Sequence, residues 1–186
     1  MIFAETQRLV LRALTKDDLP VMVELIGHWD VARWLAVVPH PYTMNDAEDY
    51  FVKMQAAYAS GKPEYFCMIR KQDNQFMGSV GLHAPRLSIP DAQAVEIGYW
   101  LGKPYWNNGY MTEAVKAVVD LGFRRPEVDC IVSTTDPDNI PSQNLLRKLG
   151  FNYLGIFART DDALRGGAEI TSWRIGRDYN QKGIQS

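Results

Sequence analysis

Residues 94–123 constrain the fold of this chain more than any other stretch. Ala94 to Leu101 is an apolar, aromatic-rich run that reads as a strand and ends at Lys103-Pro104. An amphipathic helix is predicted from about Gly109 to Phe123. Between them stands Asn107-Asn108-Gly109, built from the residue types that best tolerate positive φ. A helix N-terminus offers unpaired amides and a partial positive charge, so this passage can hold an anion such as a pyrophosphate. Asn and Gly are also common in plain turns, and that reading stays open.

The 186 residues suffice for one substantial core, and a single domain over 1–186 is expected. A formal charge of -2 argues against general attraction to nucleic acid or to an anionic membrane. Cys67 and Cys130 lie far apart among apolar neighbours, which suggests two buried strand thiols in a reducing compartment. The start Met1-Ile2-Phe3-Ala4-Glu5-Thr6 lacks the pattern of a secretory signal, and no later run could span a bilayer. A cytoplasmic protein is the expectation. His28, His40 and His83 show no metal-ligand spacing; each reads as a surface or loop histidine, and no metal is expected.

Along the chain, Arg8 to Arg12 alternates like a half-buried strand. Thr15 is a candidate cap for a helix through Ile26, and Asp30 to Leu35 for a short second one. Thr43 or Asn45 can cap the next helix, which carries Ala47, Tyr50, Phe51, Met54 and Tyr58 at helical spacing. Strands follow at 65–70 and 76–83 around a turn at Gln72-Asp73-Asn74, then a loop from Pro85 to Asp91. Cys130 to Thr134 is a further strand, Asp138 or Asn139 caps a helix through Leu149, and Gly150 suits its left-handed closing position. Two last strands are placed at 151–157 and 168–175. The fold class is α+β, a mixed sheet with helices packed over its faces.

Glu96-Ile97-Gly98-Tyr99-Trp100-Leu101, then Tyr105 to Ala114, then Asn139-Ile140-Pro141-Ser142 with Lys148-Leu149-Gly150-Phe151, resemble the GNAT superfamily of acyl-CoA-dependent N-acyltransferases. The opening Thr6 to Arg12 and the segment Asp30 to Leu35 are similar to its Rim-type branch, the ribosomal-protein N-terminal acetyltransferases. The resemblance implies a central sheet with a splayed parallel strand pair, helices on both faces, and acetyl-CoA in the opening between those strands. Pantetheine would pair with the backbone of Gly98, Tyr99, Trp100 and Leu101, and the pyrophosphate would sit at Trp106, Asn107, Asn108, Gly109, Tyr110, Met111 and Thr112. Asn139 would flank the thioester end. The family often has Gly where Asn107 stands and a basic residue or Gln where Asn108 stands, so a neutral Asn108 forgoes a charge-assisted phosphate contact. Met111 stands where a small residue is common.

Catalysis by such an enzyme needs a proton acceptor for the attacking amine, and Glu96 is the candidate. The alternatives are a solvent-facing strand residue or an ion-pair partner for an arginine. Ser142 is the candidate hydroxyl donor to the departing thiolate, or else an ordinary first-turn helix residue. Leu146 stands in the neighbourhood where many superfamily members use a tyrosine. Trp34, His40 and Tyr42 could line the acceptor-amine side, with packing as the alternative, and packing is favoured for Tyr58. Lys103, Arg147 and Lys148 are either phosphate neighbours or surface charges, and Arg165-Gly166-Gly167 a flap or a hairpin loop. The resulting expectation is an acetyl-CoA-dependent N-acetyltransferase acting on a protein N-terminus or a small-molecule amine. A non-catalytic acyl-CoA sensor and a pure scaffold are the rivals, and a homodimer stays open.

Overall fold

The computed structural model describes residues 1–61, 63–87, 93–159, 164 and 166–181. Contacts divide the chain into two compact units: Met1–Gly81, Tyr99–Val118 and Asp162–Gly166 form the first; Leu82–Gly98, Val119–Asp161 and Gly167–Ser186 the second.

In the first unit, β1 (Ile2–Glu5), β2 (Leu9–Arg12), β3 (Tyr65–Arg70) and β4 (Gln75–His83, its end in the second unit) pair antiparallel in sequence order. Leu9 and Leu11 are fully buried while Val10 and Arg12 are only half-buried, the alternation expected of one buried face. β1 is an addition to the predicted elements. Its pairing jumps between Ile2 and Ala4 and neither end is buried, so no clean alternation marks it.

Thr15 and Asp18 form a capping box on a short 3₁₀ turn, after which α1 runs over Leu19–Gly27. α2 is shorter than predicted, Trp29–Ala32. α3 (Met44–Ala59) starts at a second capping box, Thr43 with Asp46, and buries Ala47, Met54 and Tyr58. The Tyr58 hydroxyl accepts from the Leu14 amide and donates to the Tyr65 carbonyl, so its role is packing. Asn74 takes φ 58° in the turn between β3 and β4.

β5 (Ala94–Leu101) and β6 (Cys130–Thr135) are the parallel pair, in register from Ala94–Cys130 to Glu96–Val132. A parallel pair needs a crossover, and α4 (Tyr110–Phe123) lies in it. Met111, Ala114, Val115, Val118 and Val119 give α4 its buried stripe.

The second unit also holds α5 (Ile140–Lys148), β7 (Asn152–Ala158) and β8 (Glu169–Gly176), with β8 antiparallel to both β6 and β7. Gly150 closes α5 at φ 84°, and the Phe151 amide donates back to the Leu146 carbonyl. Trp173, Ile131, Leu146 and Ile175 are buried, as are both free cysteines, one on β3 and one on β6. Strand order in the sheet is β1-β2-β3-β4-β5-β6-β8-β7.

Candidate active site

The passage from β5 to α4 is held by its own side chains. The Trp106 indole N–H donates to the Leu101 carbonyl at 2.7 Å, and the Gly102 amide to the Met77 carbonyl at 2.8 Å. The Leu101 carbonyl therefore carries one hydrogen bond from within the chain. Asn107 and Gly109 adopt φ 61° and 75°, the left-handed conformation predicted for them. Asn108 is turned inward: its Nδ2 donates to the Trp106 carbonyl at 2.8 Å, so its side chain closes the turn instead of reaching out. The Gly109 carbonyl accepts from the Glu113 amide at 3.1 Å, which starts α4 and leaves the Tyr110, Met111 and Thr112 amides without intrahelical partners. Met111 is buried in the core, where its size is used for packing.

Two residues that sequence reasoning did not single out hold this turn. Arg8 donates from Nη1 to the Asn108 carbonyl at 2.9 Å and from Nε to Glu113 Oε2 at 2.7 Å, with its guanidinium 4.5 Å from the Tyr110 ring centroid. Glu113 Oε1 also accepts from the Arg8 amide and the Thr6 hydroxyl. Burial alone would raise the Glu113 pKa; the Thr6 and Arg8 hydrogen bonds and the Arg8 charge outweigh it and leave it below the usual range. Arg8 and Glu113 are 105 residues apart, so no local spacing reveals the pair. Lys103, a candidate phosphate neighbour, is instead bound to Asp30 at 2.7 Å.

In the second unit, Glu96 is 1% exposed. The alternative of an ion pair with an arginine is realised, since Arg86 Nη1 lies 3.2 Å from Oε1. The Arg86 amide donates to Oε2 at 2.7 Å, and the Thr134 hydroxyl to Oε1 at 2.6 Å. A carboxylate offers about four acceptor positions, so these three donors leave room for one more. A Cβ on Gly98 would stand 3.1 Å from His83 Nε2. His83 thus closes β4 as a half-buried residue, its Nδ1 2.8 Å from the Ala84 carbonyl, where a surface or loop position was expected.

Asn139 caps α5, its Oδ1 accepting from the Ser142 amide at 3.3 Å. Both residues are thus together in the first turn, as their spacing predicts, and Leu146 beyond them is buried. Arg147 stacks 5.4 Å from the Trp173 ring centroid and donates to Asn144.

Among the acceptor-side candidates, Tyr42 is 8% exposed in the core cluster of the first unit, and burial, then the charge of Asp46, pushes its phenol up to about 12. Tyr42 is thus packed in that core. Trp34 is half-buried with Arg33 over its ring at 4.3 Å, and His40 is exposed with its ring 5.1 Å from that of Trp29. Of Arg165-Gly166-Gly167, Arg165 lies outside the described residues, as does much of the Pro85–Asp91 loop.

A model of the acetyltransferase (GNAT) domain family matches residues 8–152, from the start of β2 to the start of β7. The chain belongs to the GNAT acetyltransferase family. Its enzyme class is therefore acyltransferase. Uncharacterized N-acetyltransferase p20 of Bacillus licheniformis is 27% identical over 151 residues, which span 81% of this chain and 83% of that protein. The ribosomal-protein-S5-alanine acetyltransferase of Vibrio fischeri shares the fold at TM-score 0.76 and 19% identity, over 96% of this chain and 97% of that one. RimL, a ribosomal L7/L12 α-N-protein acetyltransferase solved in complex with coenzyme A, shares it at 0.74 and 18%, over 96% and 99%. The GNAT fold thus includes Rim-type neighbours.

Proposed function

We propose that this GNAT chain works as one domain that transfers the acetyl group of acetyl-CoA to a primary amine, on a protein N-terminus or a small molecule. The observation that carries the reading is the turn before α4. Asn107 and Gly109 take positive φ, and the first-turn amides of α4 need acceptors. Such a turn fits a diphosphate without requiring a cationic side chain of its own. The amides of Gly109 to Thr112 would hold the diphosphate, and the backbone of Gly98 to Leu101 the pantetheine arm, as an added strand does. RimL, of the same fold, was solved with coenzyme A, which supports this choice of donor.

Acetyl-CoA supplies an acetyl group already activated as a thioester. The amine nitrogen forms a bond to the acyl carbon, the carbon–sulfur bond breaks, and the electron pair leaves on sulfur. The amine gives up its proton and the thiolate is available to take one. Glu96 accepts the amine proton, directly or through a water, at the one acceptor position its three partners leave. Thr134 and Arg86 fix the carboxylate so that this position has a single direction. Ser142, in the first turn of α5, donates its hydroxyl to the leaving sulfur, with Asn139 holding that turn in shape. Trp34 and His40 remain the acceptor-side candidates. A cytoplasmic location suits the two buried free thiols.

The test is release of coenzyme A thiol against a panel of amines and N-terminal peptides. The expected result is acetyl-CoA-dependent release with at least one acceptor, rising with pH toward the acceptor amine's own pKa, about 8 for an α-amine. Glu96→Gln should bind coenzyme A as wild type does and lose about 100-fold or more in kcat. Coenzyme A binding with no turnover on any amine would instead support the sensor. A Glu96→Gln enzyme of unchanged rate across the pH range would remove Glu96 from the mechanism.

A further inference from the structure

Asn107-Asn108-Gly109 carries no cationic residue, and an acid follows it in the first turn of α4. Glu113 sits in the first turn of α4, where a carboxylate complements the helix dipole and would compete with any phosphate for the same partial positive charge. Arg8, at the entrance to β2, answers both facts. It binds Glu113 through Nε and through its backbone amide, and the remaining arm of the guanidinium reaches the Asn108 carbonyl.

We propose that Arg8 is a positioning residue of the diphosphate turn, clamped by Glu113 and Thr6, which sets the direction of the Gly109 amide and cancels the Glu113 charge beside the ligand. In a trans peptide the carbonyl of one residue and the N–H of the next point opposite ways. A guanidinium holding the Asn108 carbonyl at 2.9 Å therefore turns the Gly109 N–H to the other face, away from Arg8. The Nη2 atom stands 3.5 Å from where a Cβ on Gly109 would lie, so the charge reaches the turn itself. The cation missing from positions 107 and 108 is thus supplied from about 100 residues away, behind the turn. Beside it, a cleft of about 170 Å³ is lined by Gln7, Arg8, Arg70, Lys71, Gln72 and Tyr110, which adds two further basic residues to the same surface. Arg70 pairs with Asp73 and also bonds the Tyr110 side chain, and Lys71 pairs with Glu5, while Arg8 reaches the Asn108 carbonyl of the turn itself.

This inference rests on acetyl-CoA being the donor, and the test separates the two. Steady-state rates are measured for wild type and Arg8→Ala with acetyl-CoA and with S-acetyl-pantetheine, a thioester that lacks the diphosphate. With acetyl-CoA, Arg8→Ala should raise KM at least tenfold and leave kcat within twofold. With the truncated donor, kcat/KM should change less than twofold, which a general loss of structure would not allow. Arg8→Lys, which keeps the charge without the fork, should fall between. Adding Glu113→Gln to Arg8→Ala should recover part of the acetyl-CoA affinity by removing the uncompensated carboxylate. Equal losses with both donors, or an unchanged KM for acetyl-CoA, overturn the role of Arg8 while leaving the donor assignment standing. No use of acetyl-CoA by wild type overturns the donor assignment itself.

Discussion

The Asp18 carboxylate is tied four ways: Arg12 Nη1 and Nη2 donate at 2.7 and 2.8 Å, the Thr15 amide at 2.8 Å and the Thr15 hydroxyl at 2.7 Å. Burial pushes its pKa up, but the Arg12 and Thr15 bonds outweigh burial and hold it below its ordinary 3.8. A lowered folded pKa gives stability that is present above the unfolded value and lost as pH falls through the folded one. Asp18→Asn should cost about 2–3 kcal/mol in urea unfolding at pH 7. The penalty should shrink as pH drops below about 4, because wild type then loses the same interaction; a penalty constant from pH 7 to pH 3 would contradict the pairing. At this scale the sequence was only partly readable. Asp18 lies three residues from the candidate cap Thr15, within reach of a local rule, whereas Arg86 and Thr134 lie 10 and 38 residues from Glu96 and no spacing rule joins them. Asn108 was read for what it could give a ligand, yet a short amide beside two open carbonyls satisfies the turn first.

Elements were legible where their signals are local. Thr43 with Asp46, and Gly150 after α5, act within one helical turn, so residue type alone carries the information. β1 was invisible because its evidence lies in its partner, the register Ile2–Arg12 and Glu5–Val10. Close approach between strands is equally non-local. A Cβ on Gly78 of β4 would stand 2.3 Å from the Trp100 carbonyl oxygen on β5, a backbone atom with little freedom to yield, while one on Gly150 would meet nothing within 4 Å. Gly150→Ala should therefore cost only the left-handed backbone penalty, about 1–2 kcal/mol. Gly78→Ala should cost more, about 3 kcal/mol, and should also weaken coenzyme A binding because it displaces the strand proposed to hold pantetheine. Chemical denaturation of the two variants checks the order; equal losses would mean β4 and β5 are less tightly apposed at Trp100.

For the whole molecule, the α+β class followed from the order of elements, while the parallel pair came with the family resemblance; the helix α4 between β5 and β6 is the crossover such a pair needs. The division into two interleaved units followed from neither, since each is assembled from three separate stretches. That interleaving is why neither unit can be cut out as a continuous segment, and why one domain is proposed. The central claim is that main-chain amides at the start of α4 take the diphosphate of the acyl donor. Titrating coenzyme A into isotopically labelled protein and following backbone amide resonances reads those atoms directly. The amides of Gly109, Tyr110, Met111 and Thr112 should show the largest shifts, saturating together with the calorimetric binding curve. If coenzyme A binds while these four stay unmoved and shifts concentrate elsewhere, the donor is held in another place.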